Sequence, residues 1–257
     1  MTAKAVAAPL EATGIVRRFG GVTAVDRVSI ALARGEVHAL IGTNGAGKST
    51  LVNVLAGELA GDAGTVALNG VDVTRWRQPR RARAGLGRSY QRTSVFATFS
   101  VLENCRLCAQ ARRPRTRRLA LDAAAHDAPS LDAARRALAR TGIEPLADRV
   151  VATLSHGQRR TLEVAMCLAG EPEVLLLDEP LAGMGADETA TMLALLDSLR
   201  PGHAILLVEH DMDAVFRIAD RITVMVDGAV IASGAPDAIR ANADVQAAYL
   251  GETDAHF

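Results

Sequence analysis

The stretch that most constrains this chain is Gly42-Thr43-Asn44-Gly45-Ala46-Gly47-Lys48-Ser49, followed by Thr50. It satisfies the spacing G-x-x-x-x-G-K-[ST]. An apolar run, "EVHALI" (36–41), leads into it, and "LVNVLAGEL" (51–59) continues as a helix. Strand, glycine-rich turn and helix in that order make a phosphate cradle. The glycines let the backbone wrap close around the oxygens, and Lys48 neutralises β- and γ-phosphates. The Ser49 hydroxyl is suited to ligate Mg²⁺. Residues 42–50 are therefore read as a nucleotide site.

Further strands and helices follow in alternation. Residues 12–32 alternate like half-buried strands, interrupted by "FGG" at 19–21, and "GTVALNG" (64–70) is another short strand. The middle, about 88–170, is rich in Ala, Leu and Arg and reads as helical. "EVLLLDEP" (173–180) and "HAILLVEHD" (203–211) are buried strands flanking the helix "TATMLALLDSL". "RITVMVDGAVIASG" (221–234) is a hairpin about Asp227-Gly228, a dipeptide suited to positive φ. The pattern predicts an α/β fold: a mainly parallel core sheet, an antiparallel flank at the start and an inserted helical region.

Two adjacent acids, Asp178 and Glu179, end an apolar strand. Asp178 is placed to hold Mg²⁺ through water, and Glu179 to polarise an attacking water. A second acid after the metal-binding one points to nucleotide hydrolysis, not transfer. His210 ends the next apolar strand, where its order after loop and acids gives it a γ-phosphate role. A second anion-receptive element is "ATLSHGQRRTLEVAM" (152–166), where a hydroxyl and a glycine open an amphipathic helix from Gly157 to about Leu168.

These residues together resemble the ATP-binding subunits of ABC transporters across about residues 12–252. "LSHGQ" (Leu154–Gln158) is similar to that family's signature, usually written LSGGQ. His156 replaces its first glycine, and Gly185 stands where many relatives carry an aspartate. The resemblance implies a P-loop NTPase of the ABC ATPase type in one domain. Its nucleotide-binding core with β flank covers about 12–87 and 171–235, its helical subdomain 88–170, and a short helical tail 236–257. It implies ATP and Mg²⁺ as cofactors, and a head-to-tail dimer in which each signature closes on the partner's nucleotide. Ser155, Gly157 and Gln158 would then meet a γ-phosphate from the other chain.

Carried over by motif, Phe19 packs on adenine, Gln91 contacts Mg²⁺ and water, Glu179 is the base and His210 the switch histidine. "FGGVTAVDRVSIAL", "LVEHDMDAVF" and "AYLGE" most resemble the ATPase subunits of branched-chain amino acid importers. That implies multi-span permease partners, a second ATPase of the same or a related chain, and an extracytoplasmic binding protein acting indirectly. The chain would sit peripherally on the cytoplasmic face of the cell membrane. Urea or short-amide import, lipid export and soluble assembly factors share the same nucleotide motifs.

Composition bears on the rivals. Net charge is zero, from 29 basic and 29 acidic residues, and aromatics make up 3%. Both weigh against a nucleic-acid partner. Charge is nevertheless uneven: Arg75, Arg77, Arg80, Arg81, Arg83, Arg88 and Arg92 form an acid-free run, and Arg106–Arg118 adds six more arginines. The expectations for that run are a solvated face or a docking surface near Gln91. Cys105, Cys108 and Cys167 form no disulfide framework, and the first two read as half-buried helix residues. The start, "MTAKAVAAPLEA", lacks the apolar core of a signal peptide, and no stretch reaches the ~18 apolar residues of a membrane span.

Overall fold

The computed structural model describes residues 8–90, 95–112 and 127–250. Its contacts group the chain into two units, residues 1–81 with 199–257 and residues 82–198.

In the first unit, β1 (Leu10–Phe19) and β2 (Val22–Leu32) form an antiparallel hairpin, extended on the other side of β1 by β4 (Ala63–Leu68) and β5 (Val71–Asp72). The hairpin breaks register at several points, so strict alternation of buried and exposed residues lapses along β1. A second set of strands is parallel. β3 (Val37–Gly42) lies between β8 (Ala204–Val208) and β9 (Arg221–Val226), and β10 (Ala229–Gly234) returns antiparallel to β9. β3 and β8 are buried along their whole length, as continuous apolar strands of a covered parallel sheet must be. Asp227 and Gly228 have φ of 47° and 82°, so the β9–β10 turn takes the expected left-handed geometry.

α1 (Lys48–Ala56) follows β3 through the glycine loop, and α2 (Gln78–Arg83) follows β5. α7 (Met212–Ile218), α8 (Pro236–Arg240) and α9 (Ala243–Leu250) complete the unit. Val215, Ile239 and Val245 from those helices close a core over Ala39, Ile41, Ile222 and Val224.

In the second unit, β6 (Leu86–Arg88) pairs parallel with the fully buried β7 (Val174–Asp178). α3 (Val101–Arg112), α4 (Ala128–Arg140) and α5 (His156–Ala169) pack on one another, and α6 (Ala186–Leu199) follows β7. The described residues of the middle are mainly helical, as its composition indicates.

Most described arginines of the run face solvent, as one expectation has it, with one clear exception. Arg75, Arg77, Arg80 and Arg83 are exposed, but Arg81 is 2% exposed. Its guanidinium donates to the carbonyls of Val54, Leu55, Trp76 and Thr74 at 2.6–3.0 Å. Val54 and Leu55 lie in the last turn of α1, where a cation opposes the helix dipole and satisfies orphan carbonyls. Burial lowers the Arg81 pKa to about 10. Arg106 is also buried, clamped by Glu103 one turn earlier at 2.6 Å, and that bond draws the Glu103 pKa down. Arg92 and Arg113–Arg118 lie outside the described residues. Cys105 proves fully buried, not half-buried, and burial raises the thiol pKa of all three cysteines, Cys108 to about 11.

Candidate active site

The phosphate loop sits in the first unit, between a rigid strand and a helix. Gly42 and Gly47 have φ of 154° and 94°. A Cβ at either would collide with a backbone carbonyl, of Met225 and Ala24 respectively, so these positions admit only glycine. α1 starts at Lys48, and Gly47 before it offers no side-chain cap to the first N–H groups. Lys48 Nζ donates to the Gly42 and Thr43 carbonyls at 2.6 and 2.9 Å, which holds its charge inside the bend. Ser49 and Thr50 occupy the same first turn, and Ala46 N–H closes on the Thr43 carbonyl.

Phe19 lies at the end of β1, 46% exposed, with the Arg17 guanidinium 4.7 Å from its ring centre. His210 follows β8 with a side chain 66% exposed, its Nδ1 3.9 Å from the buried Glu209 carboxylate. Asp211 next to it caps α7 by accepting from Ala214 N–H. His210 is thus presented on a fixed strand-to-helix turn.

The acid pair ends β7 in the second unit. Asp178 is 3% exposed, and its N–H donates to Ser89 Oγ at 3.0 Å. Its Oδ2 lies 4.0 Å from Arg88 Nη2. Ser89 N–H donates to the Leu176 carbonyl, continuing the β6–β7 ladder past its end. Glu179 is half-buried, with φ of 48°, a conformation that costs a non-glycine residue about 1 kcal/mol or more. Ser89 and Arg88 escaped sequence reading because they meet Asp178 from about 90 positions away, with no motif to link them.

α5 opens in the same unit with a reciprocal cap. Ser155 Oγ accepts from Gln158 N–H at 3.2 Å, and Gln158 Oε1 accepts from Ser155 N–H at 3.0 Å. The helix begins one residue before the expected Gly157. Gln91 lies outside the described residues. The structure brings Lys48, Ser49, Phe19 and His210 into the first unit, and Asp178, Glu179, Ser155, Gly157 and Gln158 into the second.

Comparison with known proteins identifies the family. Residues 25–182 match the family model described as ABC transporter, and residues 229–255 match that described as branched-chain amino acid ATP-binding cassette transporter. The chain is 40% identical, over 95% of its length and 98% of the relative's, to the high-affinity branched-chain amino acid transport ATP-binding protein LivG of Salmonella typhimurium. It is 38% identical to BraF of Pseudomonas aeruginosa, which carries the same description, over 95% and 98% of the two chains. Among solved structures it superposes with TM-score 0.85 and 29% identity on a nucleotide-free ATP-binding cassette from an ABC transporter, covering 95% of this chain and all of that one. The ADP conformation of the cassette MJ1267 gives the same TM-score and identity, over 95% and 99%. Glycine loop, acid-ended strand, capped signature helix and these likenesses converge: the chain belongs to the ABC transporter family and is an ATP-binding cassette ATPase.

Proposed function

We propose that the chain powers an importer of branched-chain or related amino acids, hydrolysing ATP at two composite sites in a head-to-tail pair. The observation carrying the paired site is the start of α5, a helix N-terminus ordered by the Ser155–Gln158 box, with Ser155 and His156 exposed. Such a terminus favours a phosphate through its N–H groups and dipole. The cargo reading is supported by the match over residues 229–255 and by what LivG and BraF transport.

In this reading Phe19 stacks on adenine, while Lys48 and the N–H groups of residues 42–50 bind the β- and γ-phosphates. Glu179 takes a proton from the water that attacks the γ-phosphorus, as the bond to the β-phosphate oxygen breaks. His210 contacts the γ-phosphate, and Gln91 contacts that water and would help hold Mg²⁺. Ser155, Gly157 and Gln158 contact the γ-phosphate bound by the partner chain.

The Ser49 hydroxyl and the Asp178 carboxylate are the hard oxygen donors that Mg²⁺ takes. No cluster of three His, Cys, Asp or Glu that could hold a metal occurs among the described residues. That donor set suits an ion brought in with the phosphates and their water. When bound, Mg²⁺ offsets charge on the phosphate oxygens.

No helix among the described residues is long and apolar enough to cross a membrane. In this reading the pathway belongs to permease subunits. Phe96 and Phe99, 56% and 42% exposed with rings stacked at 5.3 Å, adjoin exposed Val150 through the Ser100–Val150 bridge. An apolar patch of this kind fits a membrane-subunit contact on the cytoplasmic face. A tagged pull-down from native membranes in mild detergent tests the assignment. Two multi-span subunits and a second ATPase are the expected companions. Lipid-export or soluble assembly partners would overturn the import reading and leave the ATPase chemistry standing.

A further inference from the structure

His156, the residue that departs from the LSGGQ pattern, is not idle at the start of α5. Its Nε2 lies 2.9 Å from the Ala182 carbonyl oxygen. A carbonyl only accepts, so Nε2 carries the hydrogen and donates. The imidazole rests over Gly183, whose φ is 77°, and a Cβ there would come within 2.9 Å of Nε2. The ring and the missing side chain are matched in shape. Ala182 N–H in turn donates to the Glu179 carbonyl at 3.2 Å. Two hydrogen bonds therefore run from the signature turn to the backbone of Glu179, the residue held at positive φ.

A second contact braces the same two segments. The Glu188 carboxylate lies so close against Gly157 that a Cβ at 157 would overlap it. It also accepts from Gly185 N–H at 3.3 Å. The turn between β7 and α6, at Ala182, and the first turn of α6, at Glu188, are thus both held against the first residues of α5. A glycine at 156 would leave only the Glu188 brace.

We propose that His156 is a positioning residue for hydrolysis. It ties the signature turn to the Glu179 loop of the same chain, so that engagement of the signature sets the orientation of the base. The proposal rests on the reading of Glu179 as base and of 154–158 as signature. It predicts an effect on turnover and not on ATP affinity, because Lys48 and the glycine loop are untouched.

The discriminating pair is His156→Gln against His156→Asn. Gln extends far enough to place an amide N–H near Nε2, whereas Asn stops short. Both are polar and suit an exposed first-turn position. Steady-state ATP hydrolysis is measured on the full chain in the assembly recovered with it, alongside Glu179→Gln. Loss of one net hydrogen bond in the transition state corresponds to about a fivefold fall in kcat. The expected result is that fall for Asn with KM for ATP unchanged, and recovery to within about twofold of wild type for Gln. Equal kcat for Asn and wild type, with Glu179→Gln inactive, overturns the tie and leaves the base assignment standing. An active Glu179→Gln overturns the base assignment itself, and the tie with it. Equal loss in Gln and Asn also contradicts the proposal, since a donor at that reach would then be irrelevant.

Discussion

Lys48 and His38 show how much a single side chain decides here. The Lys48 ammonium, held against the Gly42 and Thr43 carbonyls, is the cation placed to meet phosphate. Replacing it with Ala removes a charge-assisted pair, and ATP affinity is expected to fall roughly ten- to a hundredfold. Equilibrium binding of a fluorescent ATP analogue checks this, and wild-type affinity would remove Lys48 from the phosphate site. His38, on β3, is 2% exposed, with Nε2 2.8 Å from Thr223 Oγ1 and Nδ1 3.3 Å from the Ala31 carbonyl. Desolvation chiefly lowers its pKa to about 4. A histidine depressed in the fold costs stability when it is protonated in the unfolded chain and not in the native one. Its full contribution is therefore present above pH 6.5 and is lost as pH falls from 6.5 towards 4, by at most about 3 kcal/mol. Urea midpoints at pH 7.5 and 5 should separate for wild type and draw together for His38→Gln. An unchanged separation would show that His38 is not the titrating group. Lys48, Glu179 and His210 stand out in sequence as candidates because consecutive residues carry their signals. The contact of His156 with Ala182 was not, because spacing along the chain says nothing about which carbonyl a side chain will find.

At the scale of elements, strands were the most legible. Val174–Leu177 and Ala204–Val208 are apolar without interruption, which suits strands covered on both faces, and both are buried throughout. Asp227-Gly228 marked its hairpin by turn chemistry alone. Helix α1 shows the limit. Its start is written in the glycine loop and its end in Gly57, a left-handed cap with φ of 79°, but its last carbonyls, Val54 and Leu55, also take the Arg81 guanidinium from α2. In sequence Arg81 is one arginine among seven, and charge patterning assigns it to solvent. Only the fold distinguishes it. Arg81→Ala strands buried carbonyls of α1 and is expected to cost about 3 kcal/mol, or a melting shift of roughly 6–12 °C. Arg83→Ala, at an exposed position of the same helix, is expected to leave the melting temperature nearly unchanged. Equal shifts for the two would contradict the structural role given to Arg81.

At the scale of the molecule, the chain joins a nucleotide-loop unit to a unit carrying acids and signature. The order of motifs made this pairing of functions readable, while the surface that meets other subunits was not. Phe96, Phe99 and Val150 sit in no periodic pattern, and their exposure follows from the fold alone. Phe96→Ser with Phe99→Ser should reduce recovery of permease subunits in a pull-down by about tenfold, with hydrolysis by the free chain little changed. Full recovery would move the contact elsewhere. The most direct test of the function is ATP-driven uptake of labelled leucine into proteoliposomes that carry the purified assembly, with ATP inside and the extracytoplasmic binding protein outside. Wild type should accumulate leucine, and Glu179→Gln should lower the rate by about a hundredfold or more, as expected for loss of a general base. Leucine uptake at the wild-type rate in Glu179→Gln, or none with the wild-type assembly, would contradict the assignment of this chain as the motor of amino acid import.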